Sequence, residues 1–140
     1  MKSGWVGGIT INPEETINLG RSLSKFIESG DIITLDGKLA AGKTTFVKGI
    51  LEGFEYPKDV TSPTFTLINE YEAQKRIVHI DCYRESNLNR WISLGIQDYL
   101  HSSDIKLIEW PEIIKKILPD GIITISINSI SESKREIYIR

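Results

Sequence analysis

Apolar residues recur along this 140-residue chain at two spacings, and the spacing changes from one segment to the next. Between residues 13 and 29 they fall every three to four positions, which is the repeat of one face of an α-helix. Asn12 is a suitable N-cap, Pro13 suits the first helical position, and Gly30 ends the segment. The pattern therefore predicts an amphipathic helix near the start of the chain.

The remaining segments predict strands interleaved with helices. Helical spacing recurs in residues 43–51, 88–100 and 113–118, and strands are predicted at residues 31–36, 64–71, 76–83, 105–110, 122–128 and 136–140. This alternation predicts an α/β fold whose sheet is largely parallel at its centre. Where consecutive strands have no helix between them, we expect an antiparallel portion.

Length and composition favour a single domain over residues 1–140. With 40% hydrophobic and 26% charged residues, the chain can bury a substantial core. A net charge of -2 disfavours direct binding to tRNA or DNA. The lone cysteine, Cys82, excludes an intramolecular disulfide and a cysteine-based zinc site. Neither a secretory signal nor an apolar run of about 18 residues is visible, so we expect a soluble, cytoplasmic protein without membrane contact.

The strongest chemical signal is the phosphate-binding motif at residues 37–44, Gly-Lys-Leu-Ala-Ala-Gly-Lys-Thr, which matches G-x-x-x-x-G-K-[ST]. Glycines let the backbone turn so that successive N–H groups and the following helix N-terminus face one anion. Lys43 would reach the β- and γ-phosphates, and the Thr44 hydroxyl would take one position on Mg²⁺. The predicted phosphate contacts are Gly37, Ala40, Ala41, Gly42, Lys43, Thr44 and Thr45.

The context of this motif supports nucleotide binding. A chance match in a chain of this length has a probability on the order of half a percent. The alternative is an ordinary strand-to-helix turn with an exposed lysine. Because the motif follows a predicted strand and opens a predicted helix, we favour the phosphate-binding interpretation.

A metal-dependent phosphate site also needs a carboxylate at the end of a neighbouring strand. Asp81 and Glu109 both qualify, and the local pattern leaves open which one binds magnesium and which one positions the attacking water. Ser62 and Thr64 are interpreted as a turn ahead of a strand rather than a γ-phosphate sensor. Trp110 is interpreted as a core or interface residue rather than a base-stacking one. The strand residues His79 and Cys82 are predicted to serve packing.

Several segments resemble, in the same order, the TsaE (YjeE) family, the small ATPase of bacterial tRNA threonylcarbamoyladenosine biosynthesis. The segments that carry the resemblance are residues 37–45, Ser-Pro-Thr-Phe at 62–65, Asn-Glu-Tyr at 69–71, His-Ile-Asp-Cys-Tyr-Arg at 79–84, Leu-Gly at 94–95 and Ile-Glu-Trp-Pro at 108–111. The phosphate-binding motif occurs in many NTPases, whereas the other segments together are specific to this family.

The resemblance implies a P-loop NTPase-like three-layer sandwich with helices on both faces of the sheet, which binds ATP and Mg²⁺ and hydrolyses ATP weakly. It implies TsaD and TsaB as partners, with tRNA reached only through them. It implies that Lys43 contacts the phosphates, that Thr44 and Glu109 bind the metal, and that Asp81 is the catalytic or water-positioning carboxylate. The loop around Ser62 and Thr64 would act as a switch, and the residues bordering the nucleotide would be Glu14, Trp110 and Arg135.

Two positions depart from the family pattern. Ala40 replaces the inner glycine of the motif, so a positive φ there would add strain of roughly 1 to 2 kcal/mol. Residues 87–91 lack the acidic residues common in the family at that point, which puts any partner contact of that segment in question.

Two other functions compete with this one. A small-molecule kinase would transfer the γ-phosphoryl to an acceptor and usually encloses it with lid arginines. Arg84, Arg90 and Arg135 do not cluster in the sequence, which disfavours a kinase. A nucleotide-gated binding module would sense ATP without significant turnover, and would therefore tolerate loss of Asp81 or Glu109.

Overall fold

A computed structural model describes residues 4–140. The strands are β1 (Gly8–Thr10), β2 (Ile32–Asp36), β3 (Ile68–Glu72), β4 (Arg76–Asp81), β5 (Ile105–Glu109), β6 (Ile123–Ser129) and β7 (Arg135–Ile139). The helices are α1 (Pro13–Ser24), α2 (Lys43–Gly53), α3 (Leu88–Ser93), α4 (Ile96–Leu100) and a 3₁₀ helix at Pro111–Ile117.

The seven strands form one sheet in the order β1-β7-β6-β2-β5-β4-β3. The four central strands, β6, β2, β5 and β4, are parallel. At one edge β7 pairs antiparallel with β6 and with β1, and at the other edge β3 pairs antiparallel with β4. The predicted α/β fold with a parallel centre is confirmed. The antiparallel pairs β3–β4 and β6–β7 join consecutive strands with no helix between them, as predicted, and the pairing of β1 with β7 is an addition.

Both faces of the sheet are covered, as the resemblance implies. Strand side chains alternate between the faces, so Ile105 and Leu107 pack with α1 and α2 while Ile108 packs with the other helices. The first face carries Phe46 and Ile50 of α2, and the second carries Trp91 and residues of α4 and the 3₁₀ helix. The result is three layers, with an apolar core on each side of the sheet.

Four predicted elements differ from the observed ones. The first helix, predicted to end at Gly30, ends at Ser24. The strand predicted at residues 64–71 begins only at Ile68, because Leu67 has a φ of 68° and its N–H donates to the Pro63 carbonyl. The helix predicted at residues 88–100 is split at Gly95, whose φ is 82°. The helix predicted at residues 113–118 is a 3₁₀ helix that begins earlier, at Pro111.

Strand β1 was not predicted, because three residues are too few to show a period of two. Among the helices of residues 4–140, none has the length and apolar character needed to cross a bilayer. The prediction about a secretory signal rests partly on residues 1–3, which lie outside the described part of the chain.

Helices α1 and α2 pack closely because glycines lie at their contact. A Cβ added to Gly49 would lie 2.1 Å from the carbonyl oxygen of Ile17, and one added to Gly20 would lie 2.3 Å from that of Phe46. We expect Gly49→Ala to destabilise the protein by about 1–3 kcal/mol through overpacking, although alanine is the better helix former. Urea unfolding measures this, with Gly8→Ala as the control, since a Cβ at Gly8 meets open space. Equal midpoints for the two variants would contradict the close packing.

Candidate functional site

The loop of residues 37–42 joins the end of β2 to the start of α2, as the motif predicts. A Cβ at Gly37 would lie 2.6 Å from the carbonyl oxygen of Ile127 in β6, so only glycine fits. Gly42 has a φ of 100° and directly precedes α2. Both glycines of the motif are therefore required by the path of the backbone, which aims the first N–H groups of α2 at the space above the loop.

Ala40 has a φ of 63°, in the left-handed region that glycine adopts more readily. We expect Ala40→Gly to raise the free energy of unfolding by about 0.5–1 kcal/mol, because relief of strain exceeds the entropy that glycine adds to the unfolded chain. Ala73→Gly is the control, since Ala73 has no positive φ and should lose stability. Urea unfolding of both variants checks this, and a loss of stability in Ala40→Gly would contradict it.

Lys43, the first residue of α2, has a buried side chain that is only 6% exposed. Its Nζ donates to the Gly37 carbonyl at 2.5 Å and lies 3.7 Å from Oε1 of Glu109. The ring centroid of Trp110 is 3.9 Å from the same Nζ. Burial lowers the pKa of Lys43, while Glu109, Asp81 and Asp36 oppose this shift. The Lys43 ammonium is thus shielded from water, and it lies where the motif predicts a phosphate.

Asp81 and Glu109 lie side by side at the ends of β4 and β5, where they are register partners. Both are buried, but their surroundings differ. Asp81 Oδ2 accepts from the Thr64 hydroxyl at 2.9 Å, and its Oδ1 accepts from the Tyr83 N–H at 2.8 Å. Glu109 Oε2 is 2.6 Å from Nε2 of His79, and its Oε1 is the oxygen nearest Lys43. The structure brings together both carboxylates and the lysine that the sequence singled out.

The predicted packing role of His79 leaves out a polar contact. Its imidazole is fully buried and hydrogen-bonded to Glu109. A signal was available in the sequence, since His79 stands two residues before Asp81 on one strand and so shares its face. Cys82 packs in the apolar cluster on the other face, as predicted, and burial raises its pKa to about 12.

A cavity of about 380 Å³ opens between the loop and these carboxylates. Ser62 and Thr64 both line it, although residues 64–66 form a turn as predicted. Thr64 connects this turn to the site through its bond to Asp81, and Ser62 Oγ lies 2.7 Å from Thr64 Oγ1. Tyr83, which the sequence did not single out, lines the same cavity and contacts Trp110 at 4.9 Å between ring centroids.

Arg135, at the start of β7, braces the 37–42 loop from outside. Its Nε donates to the Ala41 carbonyl at 2.9 Å and its Nη2 to the Ala40 carbonyl at 3.4 Å. It also borders a second cavity of about 330 Å³, which shares Gly42 and Thr45 with the first. Glu14 is exposed and lines neither of these two cavities, although its neighbours Asn12 and Pro13 line the second.

The donor set of the first cavity suits magnesium bound to phosphates. Thr44 supplies a hydroxyl oxygen, and Asp81 and Glu109 supply carboxylate oxygens, which are the ligands this hard ion prefers. Within residues 4–140, no group of three or more His, Cys, Asp or Glu side chains is arranged to hold a metal ion unaided. A cation here would therefore take part of its coordination from the phosphates or from water.

Comparison with known proteins identifies a family. The family described as "Threonylcarbamoyl adenosine biosynthesis protein TsaE" matches residues 10–137. The chain is 40% identical over 129 residues to a tRNA threonylcarbamoyladenosine biosynthesis protein TsaE of Bacillus subtilis (strain 168), which covers 91% of this chain and 80% of that protein. It is 34% identical over 131 residues to the protein of the same name from Treponema pallidum (strain Nichols), with 94% and 97% covered.

A solved structure is similar over nearly the whole chain. The crystal structure of YdiB from Bacillus subtilis superposes with a TM-score of 0.79 at 35% sequence identity, and covers 98% of this chain and 87% of that one. The family match over residues 10–137 spans the loop, both carboxylates and most of the sheet that positions them. The chain therefore belongs to the TsaE family of tRNA threonylcarbamoyladenosine biosynthesis proteins.

Proposed function

We propose that this protein binds ATP with Mg²⁺ between the 37–42 loop and the ends of β4 and β5, and hydrolyses it slowly. It does so as an accessory subunit of the TsaD and TsaB complex, which forms the threonylcarbamoyl group on the adenosine next to the tRNA anticodon. The observation that supports ATP binding is the buried ammonium of Lys43, which lies beside two buried carboxylates and follows a loop with positive φ at Ala40 and Gly42.

The two adjoining cavities suit the two halves of a nucleotide. The first, with Lys43 and Thr44, takes the phosphates, and the second, beside the N-terminus of α1, takes the sugar and base. Phosphate oxygens would replace the Gly37 carbonyl as partners of the Lys43 ammonium. Arg135 fixes the carbonyls of the loop and so keeps its N–H groups turned toward the ligand.

The two carboxylates take separate roles. Thr44 and Glu109 hold Mg²⁺, and Asp81 positions and accepts a proton from the attacking water. When bound, Mg²⁺ neutralises charge that develops on the phosphate oxygens. Asp81 is already held at both oxygens by Thr64 and Tyr83, so it is oriented before water arrives.

Hydrolysis is favoured over transfer to a small-molecule acceptor by the position of the arginines. Arg135 is the one arginine of residues 4–140 that lines the phosphate cavity, and its guanidinium is bonded to backbone carbonyls. Arg84 instead lies over the Phe65 ring at 4.3 Å. An assay of ATP products in the presence of candidate acceptors tests this. Free phosphate should equal the ADP formed, whereas a phosphorylated acceptor would support the kinase.

The loop of residues 61–66 offers a nucleotide-dependent surface for TsaD and TsaB. Phe65 is 80% exposed, which is unusual for an aromatic side chain, and it follows Thr64, which is bonded to Asp81. Rearrangement of the Thr64–Asp81 contact when nucleotide binds would therefore move Phe65.

We expect Phe65→Ser to weaken association with the TsaD–TsaB complex by about tenfold or more, because an exposed aromatic anchor typically contributes more than 1 kcal/mol to an interface. ATP binding should stay unchanged. Val6→Ser is the matched control, since Val6 is also 80% exposed. A pull-down with TsaD and TsaB, with and without ATP, measures this. Equal retention of both variants would show that Phe65 is not part of the interface. If the wild-type protein fails to associate in a nucleotide-dependent way, the partner proposal is contradicted.

A further inference from the structure

His79 is a buried polar residue to which the proposed function assigns no role. It lies on β4, with its imidazole fully buried on the face that packs against α1 and α2. Its Nε2 lies 2.6 Å from Glu109 Oε2. Within residues 4–140, its Nδ1 is the one buried side-chain nitrogen or oxygen without a hydrogen-bond partner. An apolar residue would fill this position without leaving a polar atom unpaired, so packing does not explain the imidazole.

The contact with Glu109 does explain it. A carboxylate only accepts hydrogen bonds, so the imidazole Nε2–H is the donor. The bond fixes Oε2 against the sheet and leaves Oε1 on the side of Lys43, at 3.7 Å from its Nζ. A terminal carboxylate otherwise rotates broadly about its last bond.

The geometry points to His79 as a positioning residue that orients Glu109 for magnesium. It touches neither nucleotide nor metal, and acts by holding one carboxylate oxygen so that the other faces the phosphate cavity. This inference rests on the proposed function, in which Glu109 is the metal ligand. Partners of this kind, which hydrogen-bond a metal ligand from behind, typically change metal affinity or activity by about 10–100-fold when they are removed.

Three substitutions separate positioning from packing. The amide nitrogen of His79→Gln reaches the place of Nε2, whereas that of His79→Asn stops near the place of Nδ1, and His79→Leu has no donor. We expect the His79→Leu and His79→Asn variants to lose about tenfold of the gain in ATP affinity that Mg²⁺ provides, and the His79→Gln variant to retain most of that gain. ADP affinity without Mg²⁺ should be unchanged in all three, as measured by calorimetry. Equal gains in Gln, Asn and wild type would overturn the inference.

A double-mutant cycle tests whether His79 acts through Glu109. In a Glu109→Gln background, His79→Leu should cost no further ATP affinity in the presence of Mg²⁺. The same cost in both backgrounds would assign His79 a merely structural role. If His79→Leu fails to fold, the Gln and Asn variants carry the comparison. Wild-type protein that binds no ATP would overturn the proposed function, whereas Mg²⁺-dependent binding that is insensitive to His79 would overturn this inference alone.

Discussion

Replacing Lys43 by alanine is expected to lower the affinity for ATP by at least about 30-fold, because loss of one partner from a buried charge pair costs on the order of 2–5 kcal/mol. Arg135 also lines the cavity, but its guanidinium is bonded to the carbonyls of Ala40 and Ala41, so it is not positioned to replace the Lys43 ammonium. Calorimetry with ATP and Mg²⁺ measures the loss.

The matched control is Lys48→Ala, which removes the same charge from an exposed position of the same helix. It should bind ATP within about twofold of the wild type, since surface charges act weakly. Folding of Lys43→Ala should be preserved, because burial already disfavours the charged form of Lys43, as its lowered pKa indicates. Near-normal ATP binding by a folded Lys43→Ala protein would contradict the role of the loop.

Replacing Asp81 by asparagine is expected to leave ATP affinity within a few-fold and to lower turnover by about 10²–10⁴-fold, the usual contribution of a general base. The amide can preserve the local bonds, because its oxygen accepts from the Tyr83 N–H and its nitrogen can donate to the Thr64 hydroxyl. Only the capacity to accept a proton is lost. Phosphate release under single-turnover conditions measures the effect.

Asp98→Asn is the control for the Asp81 substitution, since Asp98 is exposed on α4 and away from the cavity. Unchanged turnover in Asp81→Asn would remove Asp81 from its assigned role. The same variant separates an enzyme from a nucleotide-gated module. If turnover falls while tRNA threonylcarbamoylation in the reconstituted system continues at the wild-type rate, hydrolysis is not what the protein contributes.

The elements whose causes are local could be predicted from the sequence. The 37–42 loop follows from glycines that permit its turn and from the lysine at the start of a helix. Asp81 and Glu109 end apolar runs, and a parallel sheet brings the ends of such strands to one edge. The strain at Ala40 was also predictable, because alanine stands where the family pattern has a glycine, and its φ is indeed positive.

Contacts that depend on the pairing of distant strands could not be predicted from the sequence. The His79–Glu109 bond joins residues 30 positions apart through the pairing of β4 with β5. Arg135 reaches the loop across 94 positions, because β7 folds back beside β6. Trp110 covers Lys43 only because its own φ is 54°, which turns the chain sharply at the end of β5. None of these positions has a local pattern that specifies its partner.

In the function we propose, the backbone N–H groups at the start of α2 hold the phosphates of a magnesium-bound nucleotide. Amide chemical shifts in a titration of ¹⁵N-labelled protein with ATP and Mg²⁺ test it most directly. We predict saturable shifts concentrated at residues 40–45 and at the Trp110 indole, which are absent in Lys43→Ala. Shifts that remain absent at millimolar ATP, or that centre on the groove between Thr34 and the 3₁₀ helix, would contradict the account.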